Sequence, residues 1–288
     1  MAELDGRTLV NRGFWVSGLL AAGAAGSAAL ASARWHRVST DMAATLAELS
    51  RPSAPFEARD LDDVPEPAAH YFRTSLRIDE SPPSMVRIAH EGEFRMGETW
   101  KPFRSTEVIA IAPGFLWDAR IRVAPLVDVY VRDSYIGGIG SMQAAVAALL
   151  PVVNQRGGDL NPGALQRYLG EGTWLPAFLL PRHGVRWEAI DSTRARASLA
   201  DGATSISLEF TFNEAGEVAS VYTPARMREV NGRYEPTPWS ARSWNYAERC
   251  GMRIPLDAEV AWHLDDLLQP YWRGRITAIE CGPVPPTR

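Results

Sequence analysis

FLWDARIRVAPLVDVYVRDSY, residues 115–135, alternates twice. From Phe115, one face carries Phe115, Trp117, Ala119, Ile121 and Val123, and the other carries Asp118, Arg120 and Arg122. From Val127, one face carries Val127, Val129, Val131, Asp133 and Tyr135, and the other carries Asp128, Tyr130 and Arg132. A period of two with one apolar and one wet face is the mark of a half-buried strand. The wet face argues for an antiparallel sheet, because parallel sheets are covered on both sides.

The same pattern extends both ways. Upstream, Val86, Ile88, His90, Phe94 and Met96 oppose Arg87, Glu91, Glu93 and Arg95. Downstream, Ile206, Leu208, Phe210 and Phe212 alternate with polar residues, a turn at residues 213–216 follows, and residues 218–222 return as a hairpin partner. Residues 185–191, 194–199, 259–264 and 271–280, and those around Tyr246, add further strands. About ten strands in one meander are too many for a flat open sheet and are expected to curl into a barrel or half-barrel, or to split into a sandwich.

Between the two strand blocks lies an insert, residues 161–181. Asn161 suits an N-cap and Pro162 the first helical position. Leu165, Tyr168 and Leu169 share a helix face. Trp174, Leu175, Phe178, Leu179 and Leu180 then crowd seven positions and require burial by the sheet, a ligand, a partner or lipid. The expectation is an α+β protein, mostly antiparallel β, whose curved sheet or half-barrel is covered by this insert as a lid.

Before the sheet, residues 14–33 carry no charge over the length of a membrane-spanning helix. Ala31-Ser32-Ala33 also resembles a signal-peptidase site, so an uncleaved anchor and a cleaved signal both fit. Residues 39–51 read as an amphipathic helix, 51–55 as a linker and 60–73 as a second helix, ended by Ser81-Pro-Pro83. The chain therefore divides into an apolar segment (1–38), a helical lead-in (39–83) and a β-rich domain (84–288).

With 46% apolar and 22% charged residues in 288, the chain is globular in composition, and its net charge of -4 argues against a nucleic-acid partner. Lys101 is the single lysine and has no glycine-rich run before it, which excludes a Walker-type phosphate loop. Cys250 and Cys281 are compatible with one disulfide or with two separate thiols. The five histidines are scattered, so neither a metal nor a cofactor is expected. Gly137-Gly-Ile-Gly-Ser141 reads as a loop leaving the sheet, with a helix possible over 142–150.

His90 and Asp133 are polar intruders on apolar faces, and a buried His–Asp pair would orient a general base. No Gly-x-Ser-x-Gly elbow accompanies them. Arg167 and Glu171 stand at i, i+4 in the order less favourable to the helix, which leaves them open to another role. Ten tryptophans suit an apolar pocket. The candidates for its lining are Trp117, Trp174 and Phe178, with Trp100, Phe115 and Trp262. The candidates for a polar mouth are Asp118, Arg120, Arg167 and Glu171.

The segments Phe56-Glu-Ala-Arg-Asp-Leu61 with Val64-Pro65, Gly92-Glu-Phe-Arg95 with Trp100-Lys-Pro-Phe103, and Pro113-Gly-Phe-Leu-Trp-Asp-Ala-Arg120 with Arg132-Asp133 occur together. So do Arg167-Tyr-Leu-Gly-Glu171 with Trp174-Leu-Pro176, and Pro255 with Glu259-Val-Ala-Trp262. In combination, over residues 56–280, they resemble a bacterial family known only as a domain of unknown function. That resemblance implies no catalytic residue. It implies an N-terminal membrane segment and a fold similar to the periplasmic lipoprotein-carrier half-barrels, in which a curved antiparallel sheet holds acyl chains beneath a helical lid. A lipobox cysteine is missing near residues 14–34. The expectation is a membrane-anchored envelope protein that binds a lipid or other apolar molecule without catalysis. The alternatives are a hydrolase- or isomerase-like enzyme using His90 and Asp133, and an envelope interaction module without a small ligand.

Overall fold

The computed structural model describes residues 6–282 except 51 and 112–113, with side chains described from residue 26. Its strands follow one another along the chain: β1 (Met85–Met96), β2 (Thr99–Ala110), β3 (Gly114–Ala124), β4 (Val127–Ile136), β5 (Ile139–Val146) and β6 (Leu150–Arg156). After the insert come β7 (Arg186–Ala189), β8 (Arg194–Asp201), β9 (Thr204–Phe212), β10 (Val218–Val230), β11 (Arg233–Arg249), β12 (Met252–Leu264) and β13 (Leu267–Cys281). Among the described residues three α-helices accompany them: α1 (Gly6–Leu49), α2 (Glu66–Ser75) and α3 (Leu160–Glu171).

All 13 strands form one antiparallel sheet. Every neighbouring pair is consecutive in sequence except β1 with β13, which join the two strand blocks at a central seam. The edges are β6 and β7, and the insert carrying α3 runs from one to the other. Laid flat, these edges would stand roughly 60 Å apart at a strand spacing of ~4.8 Å. Instead the Tyr135 hydroxyl on β4 donates to Asp201 on β8 at 2.7 Å, and the Tyr234 hydroxyl on β11 donates to Gln155 on β6 at 2.7 Å. The sheet is therefore curled into a half-barrel. At the seam Gly92 faces Gly274, and a Cβ on Gly92 would lie 2.1 Å from the Arg273 carbonyl oxygen. The bare backbones make room for Phe103 and Trp272, whose rings pack 5.6 Å apart.

The concave face holds the main core. Leu165, Tyr168 and Leu169 of α3 and Leu175, Phe178, Leu179 and Leu180 after it are buried against the sheet. Tyr71 and Phe72 of α2 pack on Phe212 and Trp187 and fill the end of the half-barrel away from the β1–β2 turn. On the convex face Ala43 and Leu46 of α1 pack on Met85, Val108, Ala110 and Leu116. The wet face of β2 and β3 is thus partly covered.

Several sequence expectations need correction. Residues 142–150 form no helix. Gly137 and Gly138, at φ 58° and 83°, turn the β4–β5 hairpin, and Met142 and Ala144 alternate along β5. The helices expected at 14–33 and 39–51 belong to one continuous α1. A short 3-10 turn, Ala58–Leu61, precedes α2, which Pro65 caps. α3 begins at Leu160, and the Asn161 side chain instead accepts the Gly140 amide at 2.9 Å. Cys250 and Cys281 form a disulfide, Cα–Cα 6.2 Å, tying the β11–β12 turn to the end of β13. Among the described residues no helix is long and apolar enough to cross a membrane. Most of residues 14–33 have side chains outside the described set.

Candidate functional site: an apolar cavity with a charged wall

A cavity of about 650 Å³ lies between α3 and the concave sheet. Trp117, Trp174, Trp239, Trp262 and Trp272 line it, with Val129, Val131, Val221 and Val260 among the aliphatic residues. The helix contributes Gly163, Arg167 and Gly170, spaced to share one face. The two glycines present no side chain, which leaves space on either side of Arg167.

Arg167 organises the polar wall. Its Nε donates to Glu171 at 2.8 Å, Nη1 to Asp133 at 2.7 Å and Nη2 to Glu107 at 3.1 Å. Its guanidinium carbon lies 4.7 Å from the Phe115 ring and 5.2 Å from that of Trp117. All three carboxyl residues are buried. Burial works against the arginine's charge, but Asp133, Glu171 and Glu107 outweigh it and hold its pKa above the usual value. Burial pushes the Glu107 carboxyl up, and the neighbouring Glu171 pushes it further. Burial likewise raises Glu171, against the pull of Arg167. One guanidinium cannot neutralise three buried carboxylates, and the upward shifts of Glu107 and Glu171 favour the protonated form of this pair. The Glu107 oxygen not held by Arg167 has no hydrogen-bond partner among the described residues.

His90 is 1% exposed and boxed by Trp174, at 5.0 Å between ring centroids, and Trp272, at 5.8 Å. Neither ring nitrogen has a hydrogen-bond partner among the described residues, and Nδ1 lies 3.9 Å from Glu107. Burial, helped by the Arg167 charge, lowers its pKa to about 3 and keeps it neutral. Asp133 is engaged by Arg167, and no hydrogen bond or ion pair among the described residues joins it to His90. The general-base pair expected from the sequence is not formed.

The remaining candidates divide between the two faces of the sheet. Trp117, Trp174, Trp262, Arg167 and Glu171 line the cavity. Phe115 lies beneath Arg167, and Phe178 stacks on Tyr168 at 4.1 Å in the core; neither is part of the lining. Trp100 packs under Arg273 at 4.4 Å, also outside it. Asp118 and Arg120 are on the convex face, where Asp118 accepts the Trp35 indole N–H of α1 at 2.9 Å. They cannot form the cavity's mouth, and their odd-even offset from Trp117 already says so. Glu107 was missed because β2 was not read as a strand. Its alternation of Phe103, Ser105, Glu107 and Ile109 was the available signal.

Residues 62–281 match the family of unknown function DUF6920, and the chain belongs to that family. No curated protein matches it in sequence. Among solved structures it is similar to a domain assigned to outer membrane lipoprotein sorting from Vibrio parahaemolyticus. That likeness has 9% identity and TM-score 0.43, over 75% of this chain and 91% of that one. It is also similar to a LolA superfamily protein from Nitrosomonas europaea, with 12% identity and TM-score 0.40, over 76% and 94%. A DUF1329 family protein from Desulfovibrio piger has 8% identity and TM-score 0.41, over 75% and 90%.

Proposed function

We propose that this member of the DUF6920 family holds a lipid or similar apolar molecule in the half-barrel, without catalysis, at the cell envelope. The observation that carries the reading is the cavity itself: about 650 Å³, walled by five tryptophans and many aliphatic side chains. That size is typical of small-molecule sites. Each buried methylene contributes roughly 0.8 kcal/mol, so an acyl chain supplies ample driving force. Trp117, Trp174 and Trp262 contact the chain, and Arg167 with Glu171 meets its more polar end. Trp174 is held in place by its N–H bond to the Pro255 carbonyl at 3.2 Å and faces the cavity, not solvent, which favours a ligand over a docking surface at that residue. Residues 14–33 hold the domain at the membrane in this reading. The disulfide fits an oxidising compartment.

The test is extraction of the protein, purified from its native host, with organic solvent followed by lipid mass spectrometry. A stoichiometric, chemically uniform lipid is the expected result. A blank from well-folded protein would remove the reading.

A further inference from the structure

We propose that one rim of the half-barrel lies in the surface of a lipid bilayer, so that the cavity opens directly onto the membrane. This rests on the lipid-binding reading for its purpose but on separate observations for its evidence. In an antiparallel meander, alternate turns fall at opposite ends. Along the run β12, β13, β1 to β6, the β12–β13, β1–β2, β3–β4 and β5–β6 turns therefore share one rim.

That rim carries the densest group of exposed apolar side chains among the described residues. Leu126 is 95% exposed, Leu150 66% and Leu267 64%, and Leu149, Val152 and Leu268 are also exposed. All six lie in these turns or in the strand residues beside them. At the opposite end Ile139 of the β4–β5 turn, Leu49 at the end of α1 and Ile78 after α2 are exposed singly, and α2 closes the barrel with buried aromatics. A scatter of exposed leucines would need no explanation; their concentration on one rim does.

The cavity reaches toward the same end: Phe94, Val129, Trp262 and Tyr271 line it, and each lies in the half of its strand nearer this rim. α1 points there too. Ser32 lies beside Tyr130, close to the β3–β4 turn, whereas Ser50 lies beside Ser84, at the far end of β1. Going back toward its N-terminus, α1 thus runs toward the leucine-bearing rim and into the uncharged stretch 14–33. The exposed leucines, the reach of the cavity and the direction of α1 coincide, and the occupant that suits all three is a bilayer.

The test uses the full chain reconstituted in vesicles of phosphatidylethanolamine and phosphatidylglycerol. Nitroxide labels are placed singly on L126C, L150C, L268C and, at the far rim, I139C; the native cysteines are paired and leave the introduced thiol free to react. The expected result is that the three rim labels collide with oxygen and are shielded from an aqueous nickel complex, with the reverse at I139C. Rim labels freely accessible to nickel would overturn the proposal. In a second measurement, Leu126→Asp, Leu150→Asp and Leu267→Asp are combined. Uptake of a pyrene-labelled phospholipid from vesicles should slow about tenfold while uptake from detergent micelles is unchanged; an unchanged vesicle rate would overturn the proposal. Embedded rim labels together with an empty cavity would reject the lipid-carrier reading and leave this one standing.

Discussion

His90 is a base enclosed by tryptophan rings, and its consequence is acid sensitivity. Its folded pKa is about 3, against an ordinary value near 6.5. Between those values the unfolded chain takes up a proton that the folded protein refuses, so stability falls as pH drops through 6.5 toward 3, by about 1.4 kcal/mol per unit. His90→Phe, whose ring suits the box formed by Trp174 and Trp272, should lose much less stability than the parent between pH 7 and 4.5 in urea titrations. Equal losses would reject the assignment. Glu107 has the opposite sign. Its folded pKa is raised, so its contribution is complete below about 4.5 and is lost as pH rises through the folded value. Glu107→Gln keeps an acceptor for Arg167 and supplies a permanent donor to Glu171. The expected gain is about 1–2 kcal/mol at pH 8 and little at pH 4, read from melting curves. Arg167→Leu should cost about 3–5 kcal/mol, because it strands buried carboxyls. His90, Asp133, Arg167 and Glu171 all stood out in the sequence as misplaced or oddly ordered polar residues. Their partnership did not, because it is set by register across β2, β4 and α3, and the alternation in the strand supplying Glu107 went unread.

At the scale of elements, one side chain gathers several of the bonds that dock α1. Arg132 is almost fully buried, donates to the Ser39 hydroxyl at 3.0 Å and the Trp35 carbonyl at 2.8 Å, and lies 4.2 Å from the Trp35 ring. Charged hydrogen bonds of this kind contribute roughly 1.5–3 kcal/mol each. Arg132→Leu should release α1 from the sheet. Amide exchange over residues 30–49 is expected to accelerate at least tenfold, while β8–β10 keep their protection; uniform acceleration would mean that the variant damages the whole fold instead. The strand pattern around residues 115–135 told the direction of the sheet and which face is wet, but not that a helix covers part of that face. Leu116 was the clue, an apolar residue on the side of Asp118 and Arg120, and its contact with Ala43 and Leu46 explains it. The strands at 139–156 were misread because Ala144, Ala145 and Ala147 carry helix propensity, while the hairpin between Gly138 and its neighbours decides the matter.

For the molecule as a whole, the proposed ligand and the disulfide bear on the same unfolding equilibrium. A lipid that binds only the folded form stabilises by about 2.7 kcal/mol at a hundredfold excess over Kd. Delipidated protein should therefore melt lower and recover when the extracted lipid is restored. Reducing the Cys250–Cys281 bond opens a loop with a sequence separation of 31 residues, at a cost of roughly 3–4 kcal/mol on a chain-entropy account. Curvature was legible from the number of strands alone. The joining of β1 to β13 was not, since nothing local records a pairing across nearly the whole chain.

That seam has a consequence for biogenesis. Until residues 267–281 have been made, β1 has β2 for a partner on one side and a bare row of amides and carbonyls on the other. Such an edge is a template for wrong pairing, and it persists through the synthesis of some two-thirds of the chain. The growing polypeptide therefore needs an escort that covers β1, or a route of export that keeps it extended until the last strand is available to seal the sheet.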